Sequence, residues 1–144
     1  MSEMPKMRGL ERAIALRGVE AFAEVPMEQL AFLAEVARES WHDAGTTLFD
    51  QGDPPGALYV LLEGRVSLFR DEAHFGDATA GEALGTWSLF EDHPRRATAR
   101  VEEPVRVLEL PRDAFYDVLA DHAEITRSLV QHLVRRLTQL AGLE

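Results

Sequence analysis

Between residues 41 and 110 the apolar residues come in short β-rich runs, at 46–49, 57–62, 65–69, 97–101 and 105–110, separated by Gly, Pro and Asp. That grammar is the pattern of an all-β roll or sandwich, because half-buried strands need few residues and each reversal needs a turn former. The cluster Asp50-Gln51-Gly52-Asp53-Pro54-Pro55 reads as a turn. Glu63-Gly64, lying between two apolar runs with one residue able to take positive φ, predicts a tight hairpin.

The flanks follow a different period. Leu10, Ala13, Ile14 and Leu16 are spaced as in a short amphipathic helix over 10–19, which Gly18 weakens. Pro26 sits at a first helical position, and Leu30, Leu33, Ala34 and Val36 predict a second helix running to Arg38. Pro111 closes the last strand, and Phe115, Val118 and Leu119 place a helix over 112–119. Asp121 with Glu124 resembles a capping box that opens a longer helix from His122 to about Leu140. The expected fold class is therefore mainly β with flanking α-helices. One domain spans 1–144, with a helical lead at 8–38, a β-roll at about 41–110 and C-terminal helices at about 112–140.

The last helix carries Val130, Leu133, Leu137 and Leu140 at a/d spacing. Sustained coiled coils need three or four heptads, so packing of this stripe on the roll is favoured over the seam of a homodimer. Arg135 and Arg136 are read as complements to the negative helix pole.

Composition narrows the function. Fifteen Lys and Arg against twenty-five Asp and Glu leave a net charge of −10, a field that repels nucleic acid, so DNA binding by this chain alone is not expected. With no cysteine there are no disulfides, thiolate zinc sites or cysteine nucleophiles, and a cytoplasmic location is expected. Nowhere do eighteen apolar residues follow one another, so no membrane span is expected. His42, His74, His93, His122 and His132 are scattered singly, without the His-x-His pair a metal-dependent roll enzyme uses. Neither a metal, a resident cofactor nor catalysis is expected.

The segment 80–101, AGEALGTWSLFEDHPRRATARV, carries the chemistry. Gly85 precedes about one helical turn from Thr86 to Phe90, and Pro94-Arg95-Arg96 returns to a strand near Ala97. A glycine opening a short helix leaves backbone N–H groups unpaired, which with the helix dipole makes an anion site. Arg95, ten residues after Gly85, is placed to lie across the anion with its fork of donors.

Gly85-Thr86-Trp87-Ser88-Leu89, followed at the same interval by Pro94-Arg95-Arg96-Ala97-Thr98, resembles the phosphate cassette G-E-x-A-L-x-x-x-x-P-R-x-A-T of the cyclic-nucleotide-binding domain family. That family includes the catabolite activator, the protein kinase A regulatory subunits and cyclic-nucleotide-gated channels. The flanks agree: Ala44-Gly45-Thr46-Thr47-Leu48-Phe49 with Gly52-Asp53, Ala57-Leu58-Tyr59-Val60-Leu61 with Glu63-Gly64-Arg65-Val66, and Leu110-Pro111-Arg112-Asp113-Ala114-Phe115. The resemblance runs from about Leu16 to about Leu137 and implies an eight-stranded, jelly-roll-like β-roll with helices at both ends.

It also implies a regulatory sensor that binds cyclic AMP or cyclic GMP and signals through its terminal helix to a protein partner or a covalently linked effector. Arg95 would take the cyclic phosphate, with Gly85 and the N–H groups of Ser88 and its neighbours beside it and Arg96 and Ala97 on the same edge. The family's ribose-binding glutamate falls on Thr86. A neutral hydroxyl replaces a charge-assisted bond worth roughly 1.5–3 kcal/mol, so affinity should fall by about tenfold to a hundredfold. Glu82 stands four residues too early to substitute. Trp87 is expected to fill core space rather than intrude on the ribose pocket. Arg96 either adds positive potential or points outward to pair with Glu91 or Asp92. The alternative is a degenerate roll that recognises a protein or another small anion.

Overall fold

The computed structural model describes residues 9–142. A helical lead of α1 (Gly9–Arg17), a 3-10 turn (Glu20–Phe22) and α2 (Met27–Val36) precedes six antiparallel strands. These are β1 (Arg38–His42), β2 (Thr47–Phe49), β3 (Ala57–Arg70), β4 (Ala73–Thr79), β5 (Ala83–Leu84) and β6 (Thr98–Pro111). A second 3-10 turn, Thr86–Leu89, lies between β5 and β6, and α3 (Arg112–Asp121) and α4 (Ala123–Leu140) follow. The strand order is β1-β6-β3-β4, with β2 also on β6 and β5 also on β3. The roll thus begins at Arg38, earlier than expected, where α2 has already stopped at Val36.

The expected hairpin at Glu63-Gly64 does not form. The chain passes straight through it, so the runs at 57–62 and 65–69 are one fourteen-residue strand, β3, and those at 97–101 and 105–110 are one strand, β6. Gly64 does adopt positive φ, +93°, but the excursion is a bulge. The β3–β6 register is interrupted between Leu61 and Val66, and a Cβ on Gly64 would lie 2.2 Å from the Pro104 carbonyl oxygen. Both strands turn at this crossing. Counting the segments on either side gives the eight expected of the roll, against six continuous strands. The tight reversal falls instead at Asp71 and Glu72, both at positive φ, between β3 and β4.

Alternation along β3 and β6 feeds two cores. Leu58, Val60, Leu108 and Leu110 face the helices and pack with Leu16, Phe22, Leu30, Phe115 and Ile125. Leu61, Val66, Val101, Val105 and Val107 fill the roll itself.

The C-terminal helices depart from expectation in three ways. Asp121 is still inside α3 and α4 starts after His122, whose side chain makes no cap bond, so no capping box forms. His122 instead stacks on Phe32, ring centroids 3.7 Å apart. The stripe Val130, Leu133, Leu137, Leu140 does not pack on the roll: Val130, Leu137 and Leu140 are 51%, 66% and 77% exposed and only Leu133 is half-buried. The buried face of α4 is Ile125, Leu129 and His132, one residue round from the stripe. Arg135 and Arg136 pair with Glu24 and Glu20 of the lead, at 2.7 and 3.1 Å, rather than serving the helix pole. Among the described residues no helix is long and apolar enough to cross a membrane.

Candidate functional site: a cationic cleft beside the roll

The short strand β5, the Thr86–Leu89 turn and the loop that returns to β6 enclose a cleft of about 280 Å³ on one flank of the roll. Gly85, Thr86, Trp87, Ser88, Arg95, Arg96 and Ala97 all line it. Among the described residues two cationic side chains line this cleft and no carboxylate does, in a chain of net charge −10.

Arg95 is held at backbone and side chain by the protein itself. Its backbone N–H donates to the Asp53 carbonyl and its carbonyl accepts from the Gly52 N–H, both at 2.8 Å, so the Asp50–Pro55 turn holds the residue in place. Its side chain is 6% exposed. Nη1 donates to Ser88 Oγ at 2.9 Å and Nη2 to the Ala57 carbonyl at 2.8 Å. The guanidinium lies 4.1 Å from the Phe49 ring centroid, a cation–π contact, with Tyr59 at 5.9 Å. Gly85 is required here: at φ +79° a Cβ would meet Arg95 Nη1 at 2.2 Å.

What Arg95 lacks is an anion. Among the described residues no carboxylate lies within 4.0 Å of it, and its buried Nε has no hydrogen-bond partner. Burial pulls its pKa below the ordinary guanidinium value, partly opposed by Tyr59, Asp53 and Glu109. A buried cation costs several kcal/mol unless it is paired, so this geometry is that of a half-built ion pair.

The backbone groups of the cassette turn are only partly as expected. Ser88 N–H closes the 3-10 turn on the Gly85 carbonyl at 3.0 Å and is not free. The N–H groups of Thr86 and Trp87, at the head of the turn, have no protein acceptor among the described residues. Trp87 is not core: it is 54% exposed and tilts against Phe90, and with Thr86 it also borders a second hollow under α4. Arg96, half exposed at the edge of the cleft, pairs with Glu91, which holds the Glu91 carboxyl below its ordinary pKa. Glu82 is spent on Thr79, accepting from its N–H and hydroxyl, and does not line the cleft.

Sequence reasoning missed Phe49, Leu68 and His93 as lining residues and the Ala57 carbonyl as an Arg95 acceptor. Only Phe49 carried a signal, an aromatic just before the turn that grips Arg95.

A β-roll capped by helices at both ends, with one buried arginine facing a cleft free of carboxylates, defines the class. The sequence model described as "Cyclic nucleotide-binding domain" matches residues 40–122. The N-terminal domain of a transcriptional regulator from Streptomyces coelicolor superposes with a TM-score of 0.79 at 33% identity, covering 88% of this chain and 94% of that one. The CRP-like cAMP-activated global transcriptional regulator of Mycobacterium tuberculosis is 30% identical over 133 residues, 89% of this chain and 57% of that protein. An uncharacterized NTE family protein of the same species is 27% identical over 136 residues, 94% of this chain and 23% of its own length. The chain belongs to the cyclic nucleotide-binding domain family. It spans 57% and 23% of the length of those two curated relatives.

Proposed function

We propose that this chain is a regulatory module, without catalytic activity of its own, that takes a cyclic nucleotide, cyclic AMP or cyclic GMP, into the cleft beside Arg95. The observation that carries this reading is the buried Arg95 guanidinium with an unpartnered Nε and no carboxylate in reach. A phosphodiester monoanion supplies the missing charge. In this reading Arg95 binds it, the Thr86 and Trp87 N–H groups are its backbone donors, and Gly85, Ser88, Arg96 and Ala97, which line the cleft, shape the edge. The response passes to α4 and from there to a protein partner or a linked effector domain in the cytoplasm. The stripe left exposed on α4 favours a second copy of the chain as one partner, which sedimentation velocity tests.

Isothermal titration of the protein with each nucleotide tests the reading. Binding is expected, with Arg95→Ala weakening it by at least roughly thirtyfold, the scale for truncating one member of a buried charge pair. No heat from the unmodified protein at millimolar nucleotide overturns it.

Thr86 favours a second reading, a roll whose cleft takes another small anion or a protein carboxylate. With no lining carboxylate among the described residues, none of their charged groups in the cleft accepts a hydrogen bond from a sugar hydroxyl.

A further inference from the structure

Two arginines, Arg95 and Arg112, converge on Ser88 of the cassette turn, and of the two Arg95 lines the cleft. Arg112, the first residue of α3, donates from Nη1 to the Ser88 carbonyl at 3.2 Å and the Glu91 carbonyl at 2.8 Å, and from Nη2 to Asp92 Oδ1. Ser88 is therefore gripped twice, its hydroxyl by Arg95 at 2.9 Å and its carbonyl by Arg112. Glu91 is also gripped twice, its carboxylate by Arg96 and its carbonyl by Arg112. The same pairing recurs at the start of β3. The Gly56 carbonyl accepts the Arg112 backbone N–H at 2.9 Å, and the Ala57 carbonyl accepts Arg95 Nη2 at 2.8 Å.

We infer that Arg112 is a positioning residue for the anion cleft: it fixes the Ser88–Glu91 backbone that sets where the Arg95 guanidinium lies, and so ties cleft occupancy to α3. The chemistry suits the task. A turn of four residues leaves carbonyls at its C-terminal end without helical partners, and Arg112 Nη1 meets one of them, that of Ser88, together with the Glu91 carbonyl just beyond the turn, while Nη2 holds Asp92. Tyr116 makes a separate tie, donating its hydroxyl to the Leu89 carbonyl, and its ring centroid lies 5.6 Å from the Arg112 guanidinium, a contact that phenylalanine would keep. Moving Ser88 toward or away from an anion on Arg95 must then strain or relax the Arg112 bonds.

The inference rests on the cyclic-nucleotide reading only for its ligand, and the test separates the two. The Arg95 Nε–H resonance is followed by NMR in ligand-free protein, and cyclic AMP affinity is measured by titration, for Arg112→Met and for Tyr116→Phe. Tyr116→Phe removes a tie to the turn that does not reach Ser88 or Arg95. Arg112→Met is expected to shift the Arg95 resonance, speed its exchange with water and weaken cyclic AMP by roughly three- to thirtyfold. Tyr116→Phe should do none of these at a matched loss of melting temperature. An unmoved Arg95 resonance in Arg112→Met, or equal effects in both variants, overturns the inference. A moved resonance in a protein that takes up no cyclic AMP overturns only the ligand and leaves the positioning role standing. Should Arg112→Met not fold, Arg112→Lys, which keeps the charge but loses the fork, must move the same resonance in the same direction.

Discussion

Thr86 sets how much of a nucleotide the cleft holds beyond its phosphate. It lines the cleft at the position where the family's cassette carries glutamate, and among the described residues no carboxylate elsewhere in the lining replaces it. Thr86→Glu is expected to tighten cyclic nucleotide binding by about tenfold to a hundredfold, the value of one charge-assisted hydrogen bond. The gain should disappear with 2′-deoxy cyclic AMP. Titration of the variant with both ligands checks it, and a gain equal for the two would mean that the new carboxylate does not reach the sugar. At this scale the spacing of Gly85 and Arg95 was enough to bring seven residues to one cleft, because the cassette is local in sequence. The rest of the Arg95 environment was not legible. Phe49 and the Ala57 carbonyl come from segments 46 and 38 residues away, brought in by the sheet. Trp87 was misread because a turn of four residues has no second turn to define a buried face, so helical spacing says nothing about where its indole points.

The bend in β3 and β6 is what turns a flat ladder into a roll. Gly64 was recognisable as a residue needing positive φ, but whether such a glycine reverses the chain or only kinks it depends on what lies opposite. Here that is Pro104, forty residues on, whose carbonyl occupies the space a side chain would need. Strand existence was therefore readable from the apolar runs, and their joining into two long strands was not. Gly64→Ala is expected to destabilise the fold by about 2–4 kcal/mol, since backbone strain at φ +93° adds to a clash with main-chain atoms that have no rotamer to escape into. The urea midpoint should fall with the slope unchanged. A loss below about 0.5 kcal/mol, the usual range for surface substitutions, would show that the bend relaxes freely.

At the scale of the whole molecule, a signal reaching α4 requires that this helix have a second arrangement available, because a ligand moves only an equilibrium that already exists. The attachment of α4 is graded along its length. Its first half is rooted in the shared core by Ile125 and Leu129, both buried. Past His132 the hold on the helical lead is largely electrostatic and converges on one carboxylate: Glu24 takes His132 Nδ1 at 2.9 Å on one oxygen and Arg135 at 2.7 Å on the other. Arg136 adds a more exposed pair with Glu20, worth little alone. Glu24→Gln leaves one acceptor oxygen for two donors, one of them on a buried histidine. Losing a part-buried partner costs roughly 1–3 kcal/mol, so amide exchange over residues 132–140 should accelerate by about five- to a hundredfold. Amides of β3 and β6, which are expected to exchange on global unfolding, break the same contacts on opening and should accelerate by the same factor, while staying slower than those of residues 132–140 in both proteins. If residues 132–140 exchange as slowly as β3 and β6 in both proteins, α4 opens only with the whole domain, and its C-terminal half cannot move separately in response to an anion on Arg95.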